Sequence, residues 1–266
     1  QLLPAEIITT DPEQITLYSQ DVFTVGPPIC AVVRPRNIDE VQALVRACLE
    51  RGTPIVTRGG GMSYTSGYIA SAPDSVLIDM ASMDAIVEVN LEDRYVTVEA
   101  GCSWQKLHEH LAPLGVRTAY WGTLSGRYAT VGGGLSQNSI FWGSGQSGTA
   151  ADNVLSVSIV TGKGDLLETG SAAQQHAAPF TRHFGPDLTG RVSGRLRCTW
   201  HQGARHNATR PARRRQRLNQ LCIPEVGLPA ELWPVQCRTH AVLVLDQDFA
   251  LQRDACLLYT SDAADE

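Results

Sequence analysis

Two glycine-rich stretches hold the residues whose types and spacing could do chemistry. Residues 57–67 read TRGGGMSYTSG and residues 130–139 read TVGGGLSQNS. A glycine inside an element costs about 0.5–1 kcal/mol relative to alanine, so three in a row call for tight turns or for a ligand pressed against the backbone. The ligand reading is chemically specific: successive backbone N–H groups turned inward form a nest that grips a pyrophosphate without a dedicated cation, provided no side chain intervenes. A pair of tight turns is the alternative for either cluster taken alone. A dinucleotide fingerprint would need GxGxxG opening a helix after the first strand, whereas RGGGMSYTSGY runs on into small and polar residues. A Walker loop would end in Gly-Lys-Ser/Thr, and Gly162-Lys163-Gly164 lacks the hydroxyl. His108 and His110 stand two apart on a helical pattern, face different ways and have no companion ligands, so no metal site is expected. No residue is assigned as a catalytic acid or base.

The elements that must position these stretches lie around them. ICAVVRP reads as a strand ended by Pro35. NIDEVQALVRACLERG reads as an amphipathic helix with Asn37 as N-cap, Ile38, Val41, Leu44, Val45, Cys48 and Leu49 at helical spacing, and Gly52 as its stop. TPIVTR is a second strand running into Gly59-Gly60-Gly61, so strand, helix and strand make one right-handed βαβ unit with the glycines at its exit. VLIDMASM extends the alternation, and IVEVNLEDRYVTVEAG forms a hairpin turning at Leu91 to Asp93; SWQKLHEHLAPLG is helical. Within the run YWGTLSGRYATVGGGLSQNSIFWGSGQSGTAADNV, Trp121, Phe141 and Trp142 favour backbone-lined loops packed around a ligand over a floppy linker. Two strands around the turn Gly162 to Asp165 close the region. The alternation reads α/β or α+β.

Composition bounds the function. The 266 residues, 43% hydrophobic and 18% charged, suit a globular chain of one large or two modest domains. A net charge of −5 argues against general affinity for nucleic acid or anionic membrane. No apolar stretch approaches a bilayer span and the first residues lack a secretory build, so a cytoplasmic protein without an integral membrane segment is expected. The seven cysteines are scattered with no CxxC pair, as reduced structural thiols would be.

Four ordered motifs carry a resemblance: AVVRPRNIDEVQALVRACLERGTPIVTRGGGMSYTSG, VTVEAGCSWQKL, ATVGGGLSQNS and GTAADNVLSVSIVTGKGDLLETGS. Together they resemble the FAD-binding (PCMH-type) domain of the vanillyl-alcohol oxidase and p-cresol methylhydroxylase flavoproteins, in the flavour of the D-lactate dehydrogenase and glycolate oxidase subunit branch. The resemblance spans roughly Cys30 to Gly190. It implies an α+β fold of two subdomains, about 29–90 and 91–190, behind an N-terminal extension of residues 1–28, with FAD between the subdomains. It implies an FAD-dependent oxidoreductase oxidising a small-molecule alcohol or 2-hydroxy acid, such as D-lactate or glycolate, by hydride transfer to flavin. The competing class is a flavin-binding module without turnover. The implied FAD shell begins with Arg58, Gly59, Gly60, Gly61, Met62, Ser63 and Tyr64 at the pyrophosphate. It continues through Gly122, Thr123, Leu124 and Ser125, then Thr130, Val131, Gly132, Gly133 and Gly134 with Gln137 and Asn138. Gly148, Thr149, Ala150, Asp152, Asn153 and Val160 complete it. Members that tether FAD covalently often carry histidine in a stretch like RSGGHSY, where this chain has Met62, and no cysteine stands just before Gly132. Noncovalent FAD is therefore expected.

After Gly190 the resemblance breaks off and the composition turns to arginine. Shifting the letters that encode Trp200-His201-Gln202-Gly203 by one nucleotide allows the Gly-Ile-Lys of the family, which points to a frameshift near Gly190. The final LLYTSDAADE resembles translated adapter sequence. Residues 191–266 are accordingly expected to be a poorly ordered tail in which the substrate domain is missing. Arg205 to Arg217 read as solvated charge rather than a nucleic-acid patch.

Overall fold

The computed structural model describes residues 3–121, 125–177, 181–182, 185–193, 233–240 and 244–245. Among these the strands form two sheets. The first takes β1 (Ile8–Thr9), β2 (Ala31–Val33), β3 (Ile55–Arg58) and β4 (Val76–Asp79) in the order β1-β2-β4-β3. α1 (Pro12–Tyr18) lies between β1 and β2 in the chain, capped by the Asp11 carboxylate accepting from the Gln14 amide. α2 (Ile38–Arg51) joins β2 to β3, starts on Asn37 accepting from the Glu40 amide, and stops at Gly52 in left-handed backbone. Its apolar stripe buries Val41, Leu44, Val45 and Cys48, whereas Leu49, expected on that stripe, is exposed. The βαβ unit is therefore real but its strands are not neighbours: β4, buried along its whole length, lies between them and parallel to both.

The second sheet runs β11-β8-β10-β6-β5, with β7 against β10 and β9 against β8. The hairpin of β5 (Ile86–Asn90) and β6 (Tyr95–Glu99) turns where the sequence placed it. α3 (Trp104–Leu111) follows with Ser103 as N-cap, then β7 (Val116–Thr118). The glycine-rich run contributes α4 (Val131–Ser136) and α5 (Ser144–Ser147). β8 (Val154–Thr161) and β9 (Leu166–Glu168) close it, with α6 (Leu188–Val192) beyond. The main core collects the α2 stripe, Val96 and Val98 of β6, Trp104, Leu107 and Leu111 of α3, and Val154, Val157 and Ile159 of β8.

Two expected boundaries are crossed by strands and core residues of the structure. β5 pairs with β6, so the change of sheet falls before Ile86 rather than near Asn90. Residues before 29 are no appendage, since β1 pairs with β2 and Leu3 and Ile7 join the main core. Within 191–266, expected to be a poorly ordered tail, the described residues include β10 (Trp233–His240), parallel between β6 and β8, and β11 (Val244–Leu245), which flanks β8. The physical demand is plain: β6 and β8 each present an edge of backbone donors and acceptors that a strand between them satisfies. The arginine run lies outside the described residues.

Candidate functional site

β3 ends at Arg58 and delivers the chain into the first glycine cluster. Among the described residues, the amides of Gly60, Gly61, Met62, Ser63 and Tyr64 donate to no protein group. Five successive unspent donors are what a nest offers to an oxyanion. The loop is held from behind. The Tyr68 hydroxyl donates to the Gly61 carbonyl at 2.9 Å, and Ser63 Oγ accepts from the Gly67 amide and from Gln137 Nε2, both at 3.1 Å. The Arg58 guanidinium sits where a Gly61 side chain would begin, and Gly61 has φ +68°. That guanidinium lies over the rings of Tyr18 and Tyr68, 4.5 and 5.4 Å from their centroids. The buried Asp79 carboxylate accepts from the Tyr18 hydroxyl at 2.9 Å and pairs with Arg34 at 3.3 Å and more loosely with Arg58 at 3.9 Å. Two guanidiniums thus share one carboxylate, leaving positive charge beneath the nest.

Against the Cβ side of these glycines lies protein. A methyl at Gly60 would strike the Tyr128 carbonyl and one at Gly59 the Thr130 hydroxyl. The sequence reading set a pyrophosphate against the bare backbone of Gly59-Gly60-Gly61; the start of the second cluster occupies the Cβ flank of Gly59 and Gly60.

The second cluster is built differently. Thr130 caps α4 by accepting from the Gly133 amide, while the Val131 and Gly132 amides donate to the Cys102 and Ala100 carbonyls at 2.8 and 3.0 Å. Its donors are spent on the protein. Gly132 is bare because a Cβ would lie 2.8 Å from the Ala100 carbonyl oxygen, and a Gly134 Cβ would lie 3.2 Å from the Trp104 ring. Burial beside this seat pushes the Cys102 thiol up to about 12, and likewise the Tyr120 phenol to about 12. Sequence reasoning missed the helix, because three glycines hide a helical pattern that only Thr130 announces.

From α4 the chain reaches Asn138, whose Oδ1 accepts from the Ala151 amide at 2.9 Å and whose backbone is left-handed at φ +47°. Gly148, at φ +78°, opens the Thr149–Asp152 capping box, and Asn153 donates to the Ser147 and Thr149 carbonyls. Gln137, Asn138, Thr149, Ala150, Asp152 and Asn153 therefore form one hydrogen-bonded region continuous with both clusters. Val160 stands apart, its side chain buried in β8. Gly122, Thr123 and Leu124 lie outside the described residues; Ser125 accepts from the Tyr128 and Ala129 amides. Tyr18 and Tyr68, the rings that hold Arg58, carried no local signal. Among the described residues, no group of three or more His, Cys, Asp or Glu gathers to hold a metal.

Two sheets, with the glycine loop leaving β3 of the first and α4 set against the second, make a PCMH-type FAD-binding fold. Residues 29–170 match the FAD binding domain family, and the chain belongs to that family. It is 33% identical over 163 residues to the mitochondrial D-lactate dehydrogenase (cytochrome) of Arabidopsis thaliana, covering 61% of this chain and 27% of that one. It is 36% identical over 142 residues to the D-2-hydroxyglutarate dehydrogenase of Escherichia coli K12, covering 52% of this chain and 14% of that one. Glycolate oxidase subunit GlcD of Bacillus subtilis is 28% identical over 156 residues, 58% of this chain and 33% of that one. The chain thus spans at most about a third of these relatives' length. The fold is shared with p-cresol methylhydroxylase at a TM-score of 0.56 and 18% identity, over 72% of this chain and 38% of that structure. It is shared with alkyldihydroxyacetonephosphate synthase at 0.61 and 19% identity, over 72% and 38%.

Proposed function

We propose that this chain is the cofactor-holding part of an FAD-dependent oxidoreductase acting on a small alcohol or 2-hydroxy acid, such as D-lactate or glycolate. FAD, when bound, supplies the hydride acceptor. The chain's share is grip and orientation: the amides of Gly60 to Tyr64 bind the pyrophosphate, Arg58 adds positive charge beneath it, and the region from Gln137 to Asn153 lines the remaining cofactor. The observation that carries this reading is the run of five unspent amides at the end of β3. The fit extends to the mode of attachment. Met62, where a histidine tether would stand, packs against the main core and has no nucleophilic nitrogen, so FAD is held noncovalently. The substrate class rests on the names of the relatives. Among the described residues no helix is long and apolar enough to cross a membrane.

The test is a flavin absorbance spectrum of the purified full chain, followed by acid precipitation and by anaerobic addition of D-lactate, glycolate or D-2-hydroxyglutarate. Yellow colour in the acid supernatant and bleaching under one substrate are expected. Colour that stays in the pellet overturns noncovalent attachment, and flavin that binds but never bleaches reduces the chain to a binding module. A colourless protein that takes up no added FAD ends the reading.

A further inference from the structure

The first glycine loop is held partly by residues outside the matched family region, which begins at residue 29. Ser66, on the return limb of the loop, has φ +55°, a left-handed backbone that a β-substituted side chain adopts only when something holds it there. What holds it is Asp21. The Asp21 carboxylate divides its oxygens: Oδ1 accepts from the amides of its own turn, Phe23 at 2.9 Å and Thr24 at 2.7 Å, while Oδ2 accepts from the Ser66 amide at 2.9 Å. The Ser66 hydroxyl adds a bond to Thr24 at 3.1 Å, and the Phe23 and Tyr64 rings meet at 6.2 Å between centroids. Four residues earlier in the chain than Phe23's neighbour Val22, Tyr18 lies under the Arg58 guanidinium, which sits where a Gly61 side chain would begin. The extension therefore touches the loop at its entry, through Arg58, and at its return, through Ser66, and the unspent amides lie between these two points.

We propose that Asp21 is a positioning residue for the anion nest: by latching the Ser66 amide it presets the conformation in which Gly60 to Tyr64 turn their N–H groups to one side. Its consequence for FAD affinity rests on the cofactor reading above. The division of labour between the two carboxylate oxygens makes the latch separable from the turn. Asp21→Asn keeps an oxygen for Phe23 and Thr24 and places an amide NH2, a donor, where Ser66 needs an acceptor. Ser66→Gly makes the left-handed backbone free of strain, so the loop no longer needs the latch.

The experiment uses the full chain with Asp21→Asn, Ser66→Gly and both together, titrated with FAD by flavin fluorescence, alongside hydrogen exchange of residues 59–68 without added flavin. Asp21→Asn is expected to weaken FAD binding about tenfold, the worth of one charge-assisted hydrogen bond, and to speed exchange across 59–68. Adding Ser66→Gly is expected to restore most of the affinity, which a general loss of stability at Asp21 would not allow. Wild-type affinity in Asp21→Asn, or failure of the second change to restore it, overturns the proposal. If the wild-type chain takes up no FAD, the cofactor reading falls, and the exchange data alone decide the latch: unchanged exchange in Asp21→Asn overturns it. Should Asp21→Asn fail to fold, Ser66→Ala serves instead, expected to keep the latch bond and wild-type affinity; a tenfold loss there would assign the holding to the Ser66 hydroxyl and overturn the role of Asp21.

Discussion

The two glycine clusters look alike in sequence and are opposites in structure. In Gly60 to Tyr64 the amides are unspent, and Gly59, Gly60 and Gly61 are bare because the Thr130 hydroxyl, the Tyr128 carbonyl and the Arg58 guanidinium press on them; in Val131 to Gly134 the amides are spent on Cys102, Ala100 and Thr130. A run of glycines therefore announces close approach, and only the destination of its N–H groups tells whether the approach serves a ligand or another piece of backbone.

The sharpest way to break this contrast is to place side chains on each cluster. Gly60→Val drives carbons into the Tyr128 carbonyl, so flavin retention should vanish and stability should fall by about 3 kcal/mol, the upper range for overpacking. Gly133→Ala, whose new Cβ would meet only the Thr130 hydroxyl at 3.2 Å, should retain flavin and match or exceed wild-type stability through better helix propensity. Equal flavin loss in both would erase the distinction. Next in size, Gly132→Ala crowds Ala100 and should cost about 1–3 kcal/mol in a urea melt while leaving FAD affinity per folded molecule unchanged; a drop in affinity without a drop in stability would make α4 a ligand site instead of a seat.

Smaller still, Thr130→Ala removes the α4 cap for about 1 kcal/mol. Because the Thr130 hydroxyl is also what a Gly59 methyl would strike, Gly59→Ala with Thr130→Ala should cost less than the sum of the two, and strict additivity in melts would separate the clusters energetically. The smallest effect concerns Cys102. With its thiol pushed up by burial to about 12, it stays protonated and unalkylated by iodoacetamide at pH 9, whereas exposed Cys30 reacts. Gly132→Ala should make Cys102 reactive if α4 is its lid.

Much of the local structure was legible because it is written locally. Asn37 and Gly52 bracket α2, Leu91 to Asp93 turn the β5–β6 hairpin, and Gly162 to Asp165 turn β8 into β9, each by side-chain or backbone chemistry within a few residues. The first glycine loop was legible for the same reason. What was not legible depends on pairs far apart in the chain: Gly60 against Tyr128, Ser63 with Gln137, Ser66 with Asp21, Arg58 over Tyr18. The place of β4 was hidden likewise, since four buried residues fit any interior strand position. The sequence reading assigned all three glycines of each cluster to a cofactor, because spacing does not say which face of a peptide is turned outward.

The insertion of β4 between β2 and β3 also sets the order in which the molecule can assemble. Neither β2 nor β3 has the other as a neighbour, so the sheet that carries the nest cannot form from the βαβ unit alone. A newly made chain must extend past Asp79 before β3 has anything to pair with, and past Thr130 before Gly59 and Gly60 meet their backing. Each long closure carries an entropy that rises with the logarithm of the intervening length, about (3/2)RT ln n, and slows the search that precedes it. The glycine loop that is simplest to read in the sequence thus cannot take its shape until the chain has been made through Thr130, long after its own residues have emerged.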